Sequence, residues 1–83
     1  MARFGGIKIY PNPAGDKLTI DNGQLTIGNI VVFEIYNVLG ENVYSDVFNS
    51  KQKTVNCKQF SAGIYLIEVS NGDKVFRAKF VKE

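Results

Sequence analysis

Period-two alternation of apolar and polar residues is the feature that most limits what this 83-residue chain can fold into. Successive side chains of a β-strand point to opposite faces, so alternation predicts half-buried strands. The last segment shows the pattern most clearly, because Val75, Arg77, Lys79 and Val81 alternate with Phe76, Ala78 and Phe80. No window has the spacing of about 3.6 residues that an amphipathic helix requires. The sequence therefore predicts an all-β protein.

Turn residues divide the chain into short strands. Asn-Gly is the preferred pair for a two-residue hairpin, and it occurs at Asn22-Gly23 and at Asn71-Gly72. The predicted strands are 7–10, 17–21, 30–36, 42–48, 51–56, 64–70 and 74–81, and 24–28 is either an edge strand or a loop. About seven short strands with such turns predict an antiparallel, immunoglobulin-like β-sandwich.

Composition also suggests where two of these strands lie. Strand 30–36 is rich in β-branched and aromatic residues on both faces, which predicts a central strand with both faces buried at one end. Strand 51–56 is polar, and its lysines would discourage pairing with another edge, so we expect it at the side of a sheet.

A few residues are interpreted as architectural. Pro11-Asn12-Pro13 ends the first strand, because proline has no amide donor. Gly40 is expected in the left-handed conformation of a hairpin loop at 37–41. Gly63 and Tyr65 resemble the corner of immunoglobulin-like folds, where a buried tyrosine hydroxyl bonds to upstream backbone.

The residues offer little chemistry. The chain has no histidine, and its single cysteine, Cys57, has neither a disulfide partner nor a histidine base, although Lys58 is next to it. The acidic residues are scattered singly, and no metal-binding or phosphate-binding motif occurs. The chain has four tyrosines, Tyr10, Tyr36, Tyr44 and Tyr65. They could form a sugar-binding platform, although aromatic residues of a domain this small are more often buried in or against the core. We predict no catalytic, cofactor-binding or metal-binding residue.

Size and charge exclude further classes. Eighty-three residues make one domain, the net charge of +2 argues against a nucleic-acid binder, and the longest apolar run, Ile30 to Phe33, cannot span a bilayer. Four basic residues against Glu83 give residues 74–83 a net charge of +3, so the other 73 residues carry −1. This basic end suits either an acidic receptor or an ordinary solvated strand face.

Several segments together resemble a known family. The first is Ile9-Tyr10-Pro11-Asn12-Pro13-Ala14 with Leu18-Thr19-Ile20, and the second is Phe33-Glu34-Ile35-Tyr36-Asn37-Val38-Leu39-Gly40. The third is Phe60-Ser61-Ala62-Gly63-Ile64-Tyr65-Leu66-Ile67-Glu68-Val69 with Lys79-Phe80-Val81-Lys82. In this order they resemble the type A C-terminal sorting domains of the type IX secretion system. On this basis residues 7–83 are the sorting domain, and residues 1–6 are a linker or residues that are not native.

The resemblance implies an address rather than an activity. Such domains follow an N-terminal cargo protein and are recognised by outer-membrane translocon components, after which a sortase-like peptidase commonly removes them. The expected path is transit through the periplasm to the outer-membrane surface or the medium. Translocon recognition is assigned to the terminal strand: Lys74, Arg77, Lys79, Phe80, Val81, Lys82 and Glu83. The edge of that strand is expected to pair with a receptor strand.

Two other interpretations remain beside this one. The first is an immunoglobulin-like accessory module that binds glycan or a cell surface, and the second, more remote, is a small enzyme. Neither a nucleic acid nor a stably inserted membrane segment is expected as a partner. Exposed strand edges also predict that the isolated domain can form a homodimer.

Overall fold

The alternating segments form β-strands in the computed structural model of the protein, which describes residues 2–4, 7–21, 30–70 and 75–83. The strands are β1 (Ala2–Phe4), β2 (Ile7–Tyr10), β3 (Lys17–Asp21), β4 (Val31–Tyr36), β5 (Asn42–Phe48), β6 (Gln52–Asn56), β7 (Gly63–Ser70) and β8 (Val75–Lys82). Within the described ranges no helix is long and apolar enough to cross a membrane. Both predicted Asn-Gly turns, segment 24–28 and Lys74 lie outside the described residues.

The strands pair into two four-stranded antiparallel sheets. One sheet has the order β1-β2-β3-β6 and the other has the order β5-β4-β7-β8. Among the described strands β6 is at an edge and β4 is central, which confirms both predictions. The C-terminal strand β8 is at an edge of the second sheet and pairs with β7 along its whole length.

The core lies between the two sheets and consists of residues that alternate inwards on both. Its members come from seven strands and the loops that join them: Ile9, Ala14, Leu18, Ile20, Val31, Phe33, Ile35, Phe48, Val55, Cys57, Phe60, Tyr65, Ile67, Val69, Ala78 and Phe80. Burying a large apolar side chain contributes about 1.5–3 kcal/mol, so this shared core holds the sheets together. The predicted sandwich is confirmed.

Two details differ from the sequence-based expectations. Ala2–Phe4 lies within the segment interpreted as a linker, yet it forms a strand that pairs with Ile7–Tyr10. In β4 the side chains alternate strictly, and Val32 is 41% exposed, so only one face of this strand is buried. The expectation that both faces of this strand are buried was wrong, because no layer covers the outer face of the sheet among the described residues, and β4 carries Val32, Glu34 and Tyr36 there.

Candidate functional site

Strand β8 presents alternate side chains to opposite sides of its sheet. Ala78, Phe80 and Lys82 are buried, whereas Lys79 and Val81 between them are exposed. This alternation follows from the period of two in any strand whose sheet covers a core on one side. The predicted recognition residues therefore do not form one surface.

Two of the predicted recognition residues point inwards. Phe80 is 1% exposed, and its ring stacks on Tyr65 with 5.5 Å between the ring centroids. Lys82 is 8% exposed, and its Nζ donates a hydrogen bond to the main-chain oxygen of Glu83 at 2.7 Å. Neither side chain is available to a partner while β8 stays in its sheet.

Four of the predicted residues are exposed, namely Arg77, Lys79, Val81 and Glu83. The Nε atom of Arg77 donates to Oε2 of Glu68 on β7 at 2.8 Å, which makes an ion pair on the outer face of the sheet. Lys79 has no carboxylate within ion-pair distance among the described residues. Among the predicted recognition residues, Lys79 and Val81 are thus exposed and without an ion-pair partner in the described part of the chain.

A series of aromatic contacts connects β8 to the interior. Phe80 stacks on Tyr65, Tyr65 stacks on Phe60 at 5.2 Å, and Phe60 meets Tyr44 edge-to-face at 6.3 Å. Tyr44 in turn lies 5.8 Å from Phe33 on the central strand. Offset and edge-on aromatic pairs add about 0.5–1.5 kcal/mol each beyond their burial, so the inner side of β8 is firmly anchored.

The predicted corner and turn have the expected geometry. The Tyr65 hydroxyl donates to the Ser61 carbonyl at 2.7 Å, immediately before Gly63, whose φ of +154° few side chains tolerate. Gly40 has a φ of +83°, in the left-handed region. Beside it Oδ1 of Asn37 accepts hydrogen bonds from two backbone amides of the same turn. These residues shape the turn between β4 and β5 and the start of β7.

Asn12 and Ala14 hold the end of β8 along its outer edge. Oδ1 of Asn12 accepts a hydrogen bond from the Val81 amide at 3.0 Å. The Ala14 amide donates to the Val81 carbonyl at 2.6 Å, and the Ala14 carbonyl accepts from the Glu83 amide at 2.9 Å. The Asn12 side-chain amide also lies 3.5 Å from the Lys79 carbonyl. We call Asn12 to Ala14, with these bonds, the terminal clasp.

The terminal clasp changes the expectation that a receptor strand adds to this edge. Strand addition needs unpaired backbone donors and acceptors. Both backbone groups of Val81 and the amide of Glu83 are already bonded within the chain. Ala14 itself is fully buried, and the nearby Asp16 carbonyl accepts a bond from the Cys57 amide at 2.7 Å. The last part of the edge is therefore closed.

A groove runs over the outer face of the sheet beside β8. It has a volume of about 620 Å³, and its walls include Tyr36, Val38, Ile64, Leu66 and the exposed Lys79. Three of these residues form one cross-strand row, because Tyr36 is paired with Leu66 and Leu66 with Lys79. Sequence reasoning did not single out this row, although the period of two would have placed these three residues on one face.

The other chemical candidates are dispersed or buried. Cys57 is buried, and that burial raises the pKa of its thiol, while Lys82 acts in the opposite direction. A raised pKa means less thiolate at neutral pH and a weaker nucleophile. In the described part of the chain no three His, Cys, Asp or Glu residues are grouped to hold a metal ion. Tyr44 and Tyr65 pack within or against the core.

The family is identified by comparison with known sequences. The model of the secretion system C-terminal sorting domain, the Por or type IX sorting tail, matches residues 8–83. The chain belongs to this family. It is also 37% identical over 79 residues to an endo-acting ulvan lyase from Formosa agariphila and 30% identical over 81 residues to ulvan lyase NLR42 from Nonlabens ulvanivorans. These matches cover 92% and 95% of the sorting domain but only 15% of each lyase.

Solved structures show the same fold. A DUF3244-family protein from Bacteroides vulgatus, described as an immunoglobulin-like β-sandwich, superposes with a TM-score of 0.78 at 20% identity over 94% of this chain and 85% of that one. PorZ of Porphyromonas gingivalis, an essential surface component of the type IX secretion system, gives 0.76 at 20% identity over 94% of this chain and 11% of PorZ. The immunoglobulin-like prediction is confirmed.

Proposed function

We propose that this sorting domain directs an attached cargo protein through the type IX secretion machinery and performs no reaction itself. Membership of the sorting-domain family carries the proposal. The two ulvan lyases support it as well, because the matched region is a small part of each much longer enzyme. PorZ shares the fold and is itself a surface component of the type IX secretion system, which is consistent with this class of domain.

Recognition is proposed to involve the outward side chains of β8. Lys79 and Val81 are exposed, whereas Phe80 and Lys82 are occupied in the interior, so a partner that meets the folded domain would contact the first pair. The closed edge beside Val81 favours contact through side chains over strand addition at that point. Translocon components of the outer membrane are the proposed partners.

The remaining steps of the route are proposed from the family. The cargo would precede the domain, pass through the periplasm and reach the outer-membrane surface or the medium. A sortase-like peptidase would cut before the sandwich, at or before the segment 4–6. Because β1 (Ala2–Phe4) is paired with β2, a cut after Phe4 would remove a strand from the domain, and a cut before Ala2 would leave both sheets complete.

The groove favours one alternative, an accessory module that binds a glycan. Tyr36 supplies an aromatic surface there, and the neighbouring Asn37 supplies polar atoms, as sugar sites often require. Titration with saccharides separates the two functions, because a sorting signal predicts no saturable binding. We rank the sorting function first, since the family match covers residues 8–83.

An export assay tests the proposed function. The whole 83-residue chain, which keeps β1, is fused behind a periplasmic reporter in a bacterium with the type IX machinery and in a translocon-deficient strain. Export from the first strain with retention in the second is the expected result. Retention of the reporter in both strains, with the domain folded, would overturn the proposal.

Paired substitutions test which side of β8 is recognised. Lys79→Glu and Val81→Ser change the exposed side and should reduce export of a folded fusion. Lys17→Glu and Val47→Ser are the matched controls, because Lys17 is exposed on the other sheet, and Val47 is exposed on β5, the edge strand opposite β8. Equal export by all four variants would remove β8 from the recognition surface.

A further inference from the structure

The end of β8 is bonded to Asn12 and Ala14, which lie near the other end of the sequence. Asn12 and Val81 are 69 positions apart, yet the Asn12 side chain accepts the Val81 amide hydrogen bond at 3.0 Å. Ala14 adds two backbone bonds, to Val81 and Glu83, and forms an isolated parallel bridge with Lys82. The terminal residues are thus a seated strand end and not a loose tail.

Whether the end of β8 stays in the sheet determines which of its side chains are exposed. Strand ends normally fray at low free-energy cost, because they have few neighbours. While the terminal clasp is closed, Phe80 and Lys82 stay inside, and Lys79 and Val81 face outwards. If the end came free, these four side chains would no longer be sorted into an inner and an outer set, and the backbone groups of Val81 would be exposed.

We propose that Asn12 is a positioning residue, which keeps the C-terminal end of β8 seated so that its outward side chains are recognised in one fixed arrangement. This inference rests on the proposed sorting function. The Asn12 side chain alone carries both an acceptor for the Val81 amide and a donor directed at the Lys79 carbonyl. Proline on each side leaves Asn12 few backbone conformations, which favours a constant side-chain position.

The first measurement is amide hydrogen exchange of the 83-residue chain. In Asn12→Ala the Ala14 and Glu83 amides, whose own acceptors are unchanged, should exchange about fivefold faster, as expected when one ordinary hydrogen bond is lost. Ile67 in the middle of β7 should keep its protection, which shows that the sandwich remains folded. Unchanged exchange at Ala14 and Glu83 would overturn the positioning role.

Two variants serve as matched controls. Asn12→Asp keeps an oxygen that accepts from Val81 but loses the donor directed at Lys79, so the Ala14 and Glu83 amides should exchange more slowly than in Asn12→Ala. Asn42→Ala removes an exposed side chain that donates to Glu34 at 3.1 Å, far from the terminus, and should leave both amides unaffected. These controls separate the terminal clasp from the general effect of losing an asparagine.

The second measurement is export of the reporter fusion with the same three variants. Asn12→Ala should be exported less than wild type, Asn12→Asp and Asn42→Ala. Normal export of Asn12→Ala despite faster exchange would overturn the need for a seated end. Increased export would also overturn it, and would indicate that a partner binds the released strand. Retention of the wild-type fusion would instead overturn the proposed function itself, while the exchange data would still report on Asn12.

Discussion

The two faces of the β5-β4-β7-β8 sheet are built from alternate residues of the same strands, yet they differ in how far their side chains are buried. The inner face carries Phe33, Ile67 and Phe80, all essentially inaccessible and in contact with other core residues. The outer face carries exposed apolar residues, with Ile64 at 53% and Val81 at 40%. The inner face is buried in the core, and the outer face is exposed.

The arrangement of the outer face is not random. A row of charged residues crosses the sheet, where Glu34 is paired with Glu68 and Glu68 with Arg77. Mainly apolar rows lie on either side of it: one contains Val32 and Val47, and the other contains Tyr36 and Leu66 and ends at Lys79. Exposed apolar residues in rows mark interaction surfaces more often than scattered ones do. The comparison teaches that β8 can stabilise the fold and serve recognition at once, through different residues.

The largest effect is expected from the inner face. Phe80→Ala removes a fully buried ring that stacks on Tyr65, so the free energy of unfolding should fall by about 3–5 kcal/mol. A small domain has little stability to lose, and we expect substantial unfolding at 37 °C. Urea denaturation measures the change. A loss below about 1 kcal/mol would show that the inner side of β8 contributes little to the core.

A smaller effect is expected at the corner that begins β7. Tyr65→Phe keeps the ring but removes the 2.7 Å bond to the Ser61 carbonyl, which should cost about 1 kcal/mol. Tyr44→Phe is the control, because its hydroxyl makes a longer bond of 3.4 Å to Asp46. Thermal melts of both variants measure the difference. Equal losses would mean that the corner bond has no special role.

The two faces were predictable because strict alternation needs no knowledge of distant residues. In 76–80 every second residue is apolar, and the structure buries Ala78 and Phe80 accordingly. The Tyr65 bond was predictable for a similar reason, since its partner Ser61 is only four residues upstream. Local patterns thus identified the strands, the corner and most of the core.

The terminal clasp could not be predicted from such patterns. Asn12 was interpreted as part of a strand-ending motif, and nothing near it in sequence indicates that its partner is Val81. Lys82 was assigned to recognition because the resemblance treats the last residues as one group. Alternation places Lys82 on the same face as Ala78 and Phe80, but its burial at the strand end also depends on Ala14, which closes the edge. Contacts between distant segments depend on the assembled sheets.

On the outer face we expect little change in stability but a clear change in function. Val81→Ser replaces an exposed apolar side chain and should alter the free energy of unfolding by less than about 1 kcal/mol. Export of a reporter fusion should nevertheless fall. Measuring both on one variant distinguishes lost recognition from lost folding. Normal export would contradict the proposed role of the outer face.

The smallest effect is expected for the charged row. Arg77 and Glu68 form a 2.8 Å ion pair, but the Arg77 side chain is 62% exposed, and such surface pairs contribute about 0–1 kcal/mol. Arg77→Ala and Glu68→Gln should therefore change the melting temperature little, and less still at high salt. Export of the reporter fusion then shows whether either charged residue is part of the recognition surface. If Arg77→Ala reduces export while Glu68→Gln does not, the guanidinium itself is recognised. If neither does, the recognition surface is confined to Lys79, Val81 and the groove beside them.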